Sequence, residues 1–471
     1  MRNRFLLAVV FAVVWMLGGC STNTAPVETQ DTTAEVPPGT ESEISETEPI
    51  TQSPMDPPSL PSDEKTGGVT IMVAADLHYL ARDLTDLQNS FQSMSDHGDG
   101  KVMEYIWEIT DAFVAKAIEE NPDLVILAGD LTLEGEKKSH IALTGKLKKI
   151  EQAGISVIVI PGNHDINNPR ASQFYQDSVE TAESISPEEF EDIYQDFGYM
   201  EAVSRDPYSL SYVYQINDYT RAMMLDTCQY EPGNKVGGMI KDDTYDWIEE
   251  QMEEAWKLGM NVIPVGHHNL LDQSEVYLKD CTIEHSEQLI DQLESWDVPL
   301  FLSGHLHVQH FMRSQEDFGI YEIVTSSLST PPCQYGILHY KDDGSFQYHT
   351  ESVDIEDWAK QAGETDKNLL KFESFGKKKL SRVFYNQAMD EFENQKSLEN
   401  ITKYQRDQMA MVYAELNTAY YEGDVVTVRE KIMKSSGYKM WGEEGYPSIL
   451  SQYLEWITRD GTKNYNILES N

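Results

Sequence analysis

Cysteine is scarce in this chain, with four in 471 residues, which excludes a small scaffold held together by disulfides. Positive charge is scarce too. Lys and Arg number 36 against 80 Asp and Glu, a formal net charge of −44. Such a field repels polyanions and argues against a protein built to coat nucleic acid. Long apolar runs are also lacking: the longest, Phe5 to Leu17, is too short to cross a bilayer comfortably. Hydrophobic residues as a class are not scarce. At 40% of the chain they suffice for a packed core, and the length suggests two or three domains.

Arg2 and Arg4 precede the apolar run, which ends in Leu17-Gly18-Gly19-Cys20. A basic start, a short greasy stretch and small residues form an export signal. The four residues resemble a bacterial lipobox. That resemblance implies removal of residues 1–19, a lipid on Cys20, and an extracytoplasmic protein anchored to the cell membrane. Residues 21–67 hold 8 of the 19 prolines, ten acids, one base (Lys65) and no aromatics. Such a stretch cannot bury enough apolar surface to offset its ordering entropy, so residues 20–67 are expected to be a disordered, self-repelling tether. With Cys20 lipidated, Cys228, Cys281 and Cys333 remain. At least one of the three is then a free thiol, and pairing of the other two is open.

Residues 68–354 alternate short apolar runs with amphipathic helices. Strands are predicted at Val69–Ala74, Leu124–Leu127, Ile155–Ile160, Ala222–Leu225, Val262–Val265 and Val298–Leu302. Helical spacing marks Met103 to Ile118 and Trp247 to Trp256. The alternation predicts an α/β domain with a largely parallel central sheet. Tyr321–Val324, Tyr335–Tyr340 and Phe346–Val353 lack intervening helices and are expected to be antiparallel strands at one side. From residue 355 the texture is helical, with one helix through Met409, Val412, Tyr413, Leu416 and Tyr420 stopped by Gly423. Another runs from Val425 to Met433 and ends near Gly437. No metal-ligand spacing occurs in residues 355–471, so a helical cap on the main domain is expected.

The segments that follow the strands carry the chemistry. They are Ala75-Asp76-Leu77-His78, Gly129-Asp130-Leu131-Thr132, Gly162-Asn163-His164-Asp165, Gly266-His267-His268-Asn269 and Ser303-Gly304-His305-Leu306-His307. Open α/β sheets bind ligands at the carboxyl ends of their strands, so these five blocks share one rim. A lone His usually packs or faces solvent, and His97, His140, His285, His310, His339 and His349 are expected to do so. The other six fall only in the strand-end blocks. Imidazole, carboxylate and amide oxygen together suit Mn, Fe or Zn ions, and the lack of Cys argues against a closed structural zinc site. In an extended segment Asp76 and His78 point the same way, as do His305 and His307, so each pair can grip together. Asp130 has two oxygens and could bridge two cations.

The ordered set Asp76-x-His78, Gly129-Asp130, Gly162-Asn163-His164-Asp165, His267 and Gly304-His305-x-His307 resembles the calcineurin-like metallophosphoesterase superfamily over about residues 69–310. The resemblance implies a four-layer α/β/β/α sandwich of two sheets flanked by helices, here with a C-terminal helical extension. It implies two divalent or trivalent ions. One is held by Asp76, His78, Asp130 and His307, the other by Asp130, Asn163, His267 and His305. It further implies His164 as the uncoordinated catalytic His near the leaving group, with Asp165 supporting its loop. His267 is chosen over His268 as the first His of its block, and His268 is left to touch substrate or to pack. Asp226 ends a strand on the same rim but has no ligand role. Leu133-Glu134-Gly135-Glu136 continues the Gly-Asp block in the manner of phosphodiesterase-like branches and lacks the Asp-Arg-Gly of protein phosphatases.

The function implied is hydrolysis of a small phosphodiester or phosphomonoester in the cell envelope by a two-metal-activated water. The alternatives are an anchored lipoprotein that keeps metal without turnover, and a nuclease of the same superfamily. The acid excess disfavours the nuclease, because residues 68–354 alone hold 17 Lys and Arg against 51 Asp and Glu. Within the long stretch 166–215, Arg170, Arg205, Tyr212 and Tyr214 could contact a phosphate or base, ordinary packing being the simpler expectation.

Overall fold

The computed structural model describes residues 67–470 apart from 97, 277, 317, 395–400, 444, 446 and 447. The expected export signal, Cys20 and all of the expected tether but Gly67 lie outside the described residues. Among the described residues no helix is long and apolar enough to cross a membrane.

Two sheets lie face to face. The first runs in the order Ile467–Glu469, Phe346–Ser352, Gln334–Lys341, Gly68–Ala74, Leu124–Ala128, Ser156–Ile160. Its last three strands are parallel and the others antiparallel. The second runs His310–Arg313, Tyr321–Val324, Leu300–Ser303, Asn261–Val265, Thr220–Met224, Tyr212–Gln215, Ser204–Arg205. Sequence alternation in the second sheet explains the layering. Ala222, Met224, Ile263, Val265, Leu300 and Leu302 join the core shared with the first sheet. Their neighbours Met223, Val262 and Phe301 face the other way, into a core with Trp247, Ile248, Leu289 and Leu293. Those four belong to the helices Asp242–Leu258 and Ser286–Ser295. Period-two patterning buried on both faces is what a sheet between two layers requires. The helices Ile106–Glu120 and Lys137–Gln152 pack on the outer face of the first sheet and are joined by the Lys146–Asp111 ion pair, 2.7 Å. The architecture is the four-layer α/β/β/α sandwich.

Three expectations need correction. The sheet is not single and largely parallel, because the alternating strands divide between two mixed sheets. Tyr321–Val324 is antiparallel to only one of its neighbours, His310–Arg313, and lies parallel to the other, Leu300–Ser303, with Leu300 opposite Tyr321. The chain reverses first through His310–Arg313, and that antiparallel edge strand supplies the crossover in place of a helix. The C-terminal region is not wholly helical, since Ile467–Glu469 returns to pair with Phe346–Ser352 at the edge of the first sheet.

The C-terminal helices include Phe372–Asn394, Lys403–Tyr421, Val425–Lys434, Ser436–Glu443 and Ile449–Asp460. Gly437 does not end a helix. It lies inside Ser436–Glu443, where a Cβ would come within 2.4 Å of the Gln408 carbonyl, so close helix packing selects glycine there. The helices share a core that includes Leu380, Phe384, Tyr413, Leu416 and Trp441. Val308 belongs to it, and Leu306 packs against it. The two residues flanking His307 are thus held by the C-terminal helices. Cys228, Cys281 and Cys333 are all buried, and no disulfide joins any two of them, so the pairing left open does not form.

Candidate metal centre

The five strand-end blocks meet where the carboxyl ends of both sheets converge. The first sheet delivers Asp76, His78, Asp130 and Asn163, and the second delivers His267, His305 and His307. Asp76, His78, Asp130 and His307 form one group able to offer converging ligand atoms, and His267, His268 and His305 form another. His78 Nε2 and His307 Nε2 face each other at 3.0 Å. Asp130 Oδ2 lies 3.8 Å from His78 Nε2 and 3.5 Å from His267 Nε2, and so stands between the groups. Asn163 Oδ1 is 3.1 Å from His267 Nε2.

The backbone here differs from the extended form expected. Asp76, His78, Asp130, His305 and His307 all adopt left-handed conformations, with φ of 54°, 47°, 47°, 72° and 60°. Each costs on the order of 1 kcal/mol, and such strain concentrates at functional sites. The reason is geometric. An extended chain would carry alternate residues about 6.8 Å apart along its axis, whereas left-handed residues curl the chain over the strand end. Hydrogen bonds from Asp76 N to Gly129 O and from His78 N to Asp130 O, 3.1 and 2.9 Å, fix the curl. Gly129, at φ +83°, leaves room for His267, whose Nδ1 would lie 2.4 Å from an added Cβ.

The imidazoles have defined tautomers. His267 Nδ1 faces the Ala128 carbonyl at 2.9 Å and donates to it, which turns Nε2 toward Asp130 and Asn163. His305 Nε2 donates to the Asp280 carbonyl at 2.9 Å, so Nδ1 is its free nitrogen. His268 packs. Its two nitrogens are taken by the Thr227 hydroxyl and the Val236 carbonyl, 2.7 and 2.8 Å. Asp76 Oδ1 and His78 Nδ1 are buried without a hydrogen-bond partner. The unsatisfied carboxylate oxygen of Asp76 fits cation binding.

Burial first, then Lys101, lowers the His78 pKa well below its usual value, and burial takes His305 down to about 4. At His267 burial is outweighed by the Asp130 carboxylate, and the pKa rises to about 9. A cation between these two would take the place of that proton.

His164 sits at the wall of a cavity of about 340 Å³ lined also by Lys101, Arg170, Phe174, Leu306 and Tyr421. Its Nδ1 donates to the Leu133 carbonyl at 2.7 Å and lies 3.2 Å from Glu134 Oε2, while Nε2 points toward Asp130. Burial opposes its protonation, but Asp130 and Glu134 outweigh burial and raise its pKa to about 9. The buried Asp165 carboxylate takes Leu131 N, Thr132 N, the Thr132 hydroxyl and Gly162 N, and so ties the second and third blocks together. A larger cavity, about 600 Å³ beside Gln334, Phe372 and Glu422, contains none of these residues.

Of the four candidates in 166–215, Arg170 alone reaches the cavity, held 2.9 Å from Glu134, with Ser172 and Phe174 lining the wall beside it. Arg205 pairs with Glu191, Tyr212 donates to the Val159 carbonyl, and Tyr214 to Glu201. Asp226 is likewise structural, accepting from Leu210 N, Cys228 N and Tyr230. The segment is not a bare loop. It contains a hairpin and the helix Pro187–Ile193, started by a capping box of Ser186 and Glu189. Asp99, Lys101 and Tyr421 also line the cavity and were not foreseen. They sit outside the strand ends, and no motif spacing marks them.

Glu136, beside this site, gives a pH-dependent signal. Burial raises its carboxyl pKa to about 7. In the unfolded chain it ionises from about 4.5, so unfolding releases a proton between these values and stability falls as pH rises through that window. The cost above pH 7 is on the order of 3 kcal/mol. Glu136→Gln is therefore expected to be more stable than wild type at pH 8 and equal to it at pH 4, measured by urea unfolding. A difference independent of pH would refute the assignment.

The model of the calcineurin-like phosphoesterase family matches residues 69–309, half of the chain, and the chain belongs to that family. Its members are metal-dependent phosphoester hydrolases, the class that the fold and the ligand cluster define. A second model, the C-terminal domain of cyclic nucleotide phosphodiesterase, matches residues 354–464. Similar proteins include a probable cyclic nucleotide phosphodiesterase of Synechococcus sp., 24% identical over half of this chain and 80% of its own length. The metallophosphoesterase-like protein YydB of Bacillus subtilis is 24% identical over 41% of this chain, which spans only 42% of that relative. A dimetal phosphatase from Danio rerio superposes with a TM-score of 0.43 at 13% identity, over 60% of this chain and 95% of its own.

Proposed function

We propose that this chain hydrolyses a small phosphodiester, a nucleotide being the leading substrate class, at a two-metal centre. Asp76, His78, Asp130 and His307 would hold one ion, and Asp130, Asn163, His267 and His305 the other. The observation that carries this function is the position of Asp130 between two converging ligand groups, with His164 beside it at the cavity wall. When bound, the two ions would supply an acidified water and neutralise phosphoryl oxygens. His164 is placed to give a proton from Nε2 to the departing oxygen, with Glu134 and the Leu133 carbonyl holding its other nitrogen. Preference for a diester is supported by the C-terminal match to cyclic nucleotide phosphodiesterases and by the name of the Synechococcus relative.

The test is a screen of bis-p-nitrophenyl phosphate, p-nitrophenyl phosphate, and cyclic and linear nucleotides after reconstitution with Mn, Zn or Fe. Faster turnover of diesters is expected. Turnover of monoesters alone would overturn the diester assignment, and bound metal without any hydrolysis would favour the metal-keeping lipoprotein.

The lipobox-like Leu17-Gly18-Gly19-Cys20 supports anchoring to the outer face of a bacterial cell membrane through Cys20. The acidic, proline-rich residues that follow suit a spacer. Cys20→Ala is expected to lose incorporation of labelled palmitate and to leave the membrane fraction. Retention of label in the variant would exclude lipidation at this residue.

A further inference from the structure

One wall of the cavity is not carried by a strand end. Residues Gly98–Glu104 precede the helix Ile106–Glu120, entering it through the short turn Met103–Tyr105. Two charged side chains of this segment face the metal centre. Lys101 Nζ lies 2.6 Å from Asp99 Oδ2, and both side chains are largely buried, 11% and 19% exposed. Asp99 Oδ2 lies 3.7 Å from His307 Nδ1, on the side of the ring away from His78. Lys101 lines the same cavity as His164, His305 and His307. A cation placed beside imidazoles that would gather two more cations is unfavourable by itself. An anion drawn to the same cavity offsets that repulsion. A compact ammonium on a flexible stem, with three donors, suits a non-bridging phosphoryl oxygen.

The segment is held from the far side by the C-terminal helices. Lys379, in the helix Phe372–Asn394, is only 4% exposed. Its Nζ lies 2.6 Å from Glu104 Oε1 and 2.8 Å from the Ser95 hydroxyl, which itself donates to Glu104 at 2.8 Å. The adjacent Leu380 presses on Gly100. With φ at +102°, that glycine has space for no side chain, and an added Cβ would lie 2.5 Å from Leu380 Cδ1. Val102 N donates to the Ser329 carbonyl at 2.8 Å and pins the segment to the sandwich. Buried contacts therefore run from the C-terminal helix to Glu104 and Gly100, and from the same segment to the cavity.

We propose that Gly98–Glu104 is a substrate-positioning segment: Lys101 meets the phosphoryl oxygens of the substrate, and Lys379 holds the segment in place by clamping Glu104. This rests on the phosphoesterase function proposed for the adjoining centre. It assigns the C-terminal helices a part in substrate binding, with Lys379 acting through Lys101 as a positioning residue.

The experiment uses the full chain loaded with metal. Lys101→Ala should raise KM for bis-p-nitrophenyl phosphate and weaken the binding of inorganic phosphate by about tenfold or more, with kcat changed far less. Lys101→Arg should recover most of the loss. Lys379→Met should raise KM as much as Lys101→Ala, and the double variant should be no worse than Lys101→Ala. Hydrogen exchange in Lys379→Met should quicken across residues 98–104 and not in the strands. If that variant does not fold, Lys379→Met with Glu104→Gln removes both charges together and takes the same measurements. An active wild type whose KM and phosphate affinity are untouched by Lys101→Ala overturns the positioning role and leaves the phosphoesterase standing. An inactive wild type whose phosphate affinity still falls in Lys101→Ala overturns the phosphoesterase and leaves the segment's role standing. Unchanged exchange across 98–104 in Lys379→Met, or KM defects that multiply in the double variant, overturn the clamp.

Discussion

Asp130→Asn is expected to lower turnover of a phosphodiester by roughly a thousandfold or more, the equivalent of several kcal/mol of lost charge stabilisation. It is also expected to lower metal content from two ions to one or none. Asp130 is the acid whose Oδ2 lies within 3.8 Å of His78, His164 and His267. Its carboxylate is held well below the usual range in spite of burial, by His164 and His267 first. Asparagine keeps the size but loses the charge and one acceptor. Its amide would then have to face imidazole nitrogens that need an anion or a cation between them. The paired measurement is colorimetric hydrolysis with elemental analysis of the same sample. Two ions retained with full activity would remove Asp130 from its bridging role.

His164→Ala is expected to keep both metals and lose catalysis selectively. General acid catalysis contributes roughly 10²–10⁴-fold, and it matters most when the leaving group is a poor one. The variant should therefore lose far more activity on an alkyl or nucleoside diester than on a p-nitrophenyl ester, whose anion leaves unaided. Glu134→Gln should give a smaller defect in the same direction, roughly 10–100-fold, because it orients the imidazole without touching substrate. An equal loss on both kinds of ester would show that His164 binds phosphate rather than protonating the leaving group. Loss of metal in His164→Ala would instead make it a ligand.

Much of this was legible because the site follows from a rule about strand ends. A run such as Leu124–Ala128 is apolar throughout, and Gly129-Asp130 comes directly after it, so both the strand and its cargo can be read locally. The sheet to which each strand belongs cannot. Asn261–Val265 and Ser156–Ile160 look alike in sequence, yet they lie in different sheets, because pairing is decided by contacts far apart in the chain. The left-handed backbone at Asp76, His78, Asp130, His305 and His307 was also hidden. Asp and His are ordinary residues in many conformations, and only the convergence of several loops forces them there. Asp99 and Lys101 were missed for a related reason. Their relation to His307 and Glu134 is purely tertiary, and a Gly-Asp-Gly-Lys sequence by itself describes only a turn. In the C-terminal region the helices were visible by periodicity, but Lys379 looked like one more charge on a helical face. Nothing local marks it as buried beneath Glu104.

The origin of the ligands has a thermodynamic consequence. Asp76, His78, Asp130 and Asn163 follow strands of one sheet, while His267, His305 and His307 follow strands of the other. Each proposed ion would thus be gripped from both sides of the sandwich and act as a rivet through it. Apparent stability should then depend on free metal concentration, rising by about 1.4 kcal/mol for each tenfold increase per bound ion once the site is saturated. A chelator would not merely silence the enzyme. It would loosen the seam between the two halves, and the midpoint of thermal unfolding would report the occupancy of the centre.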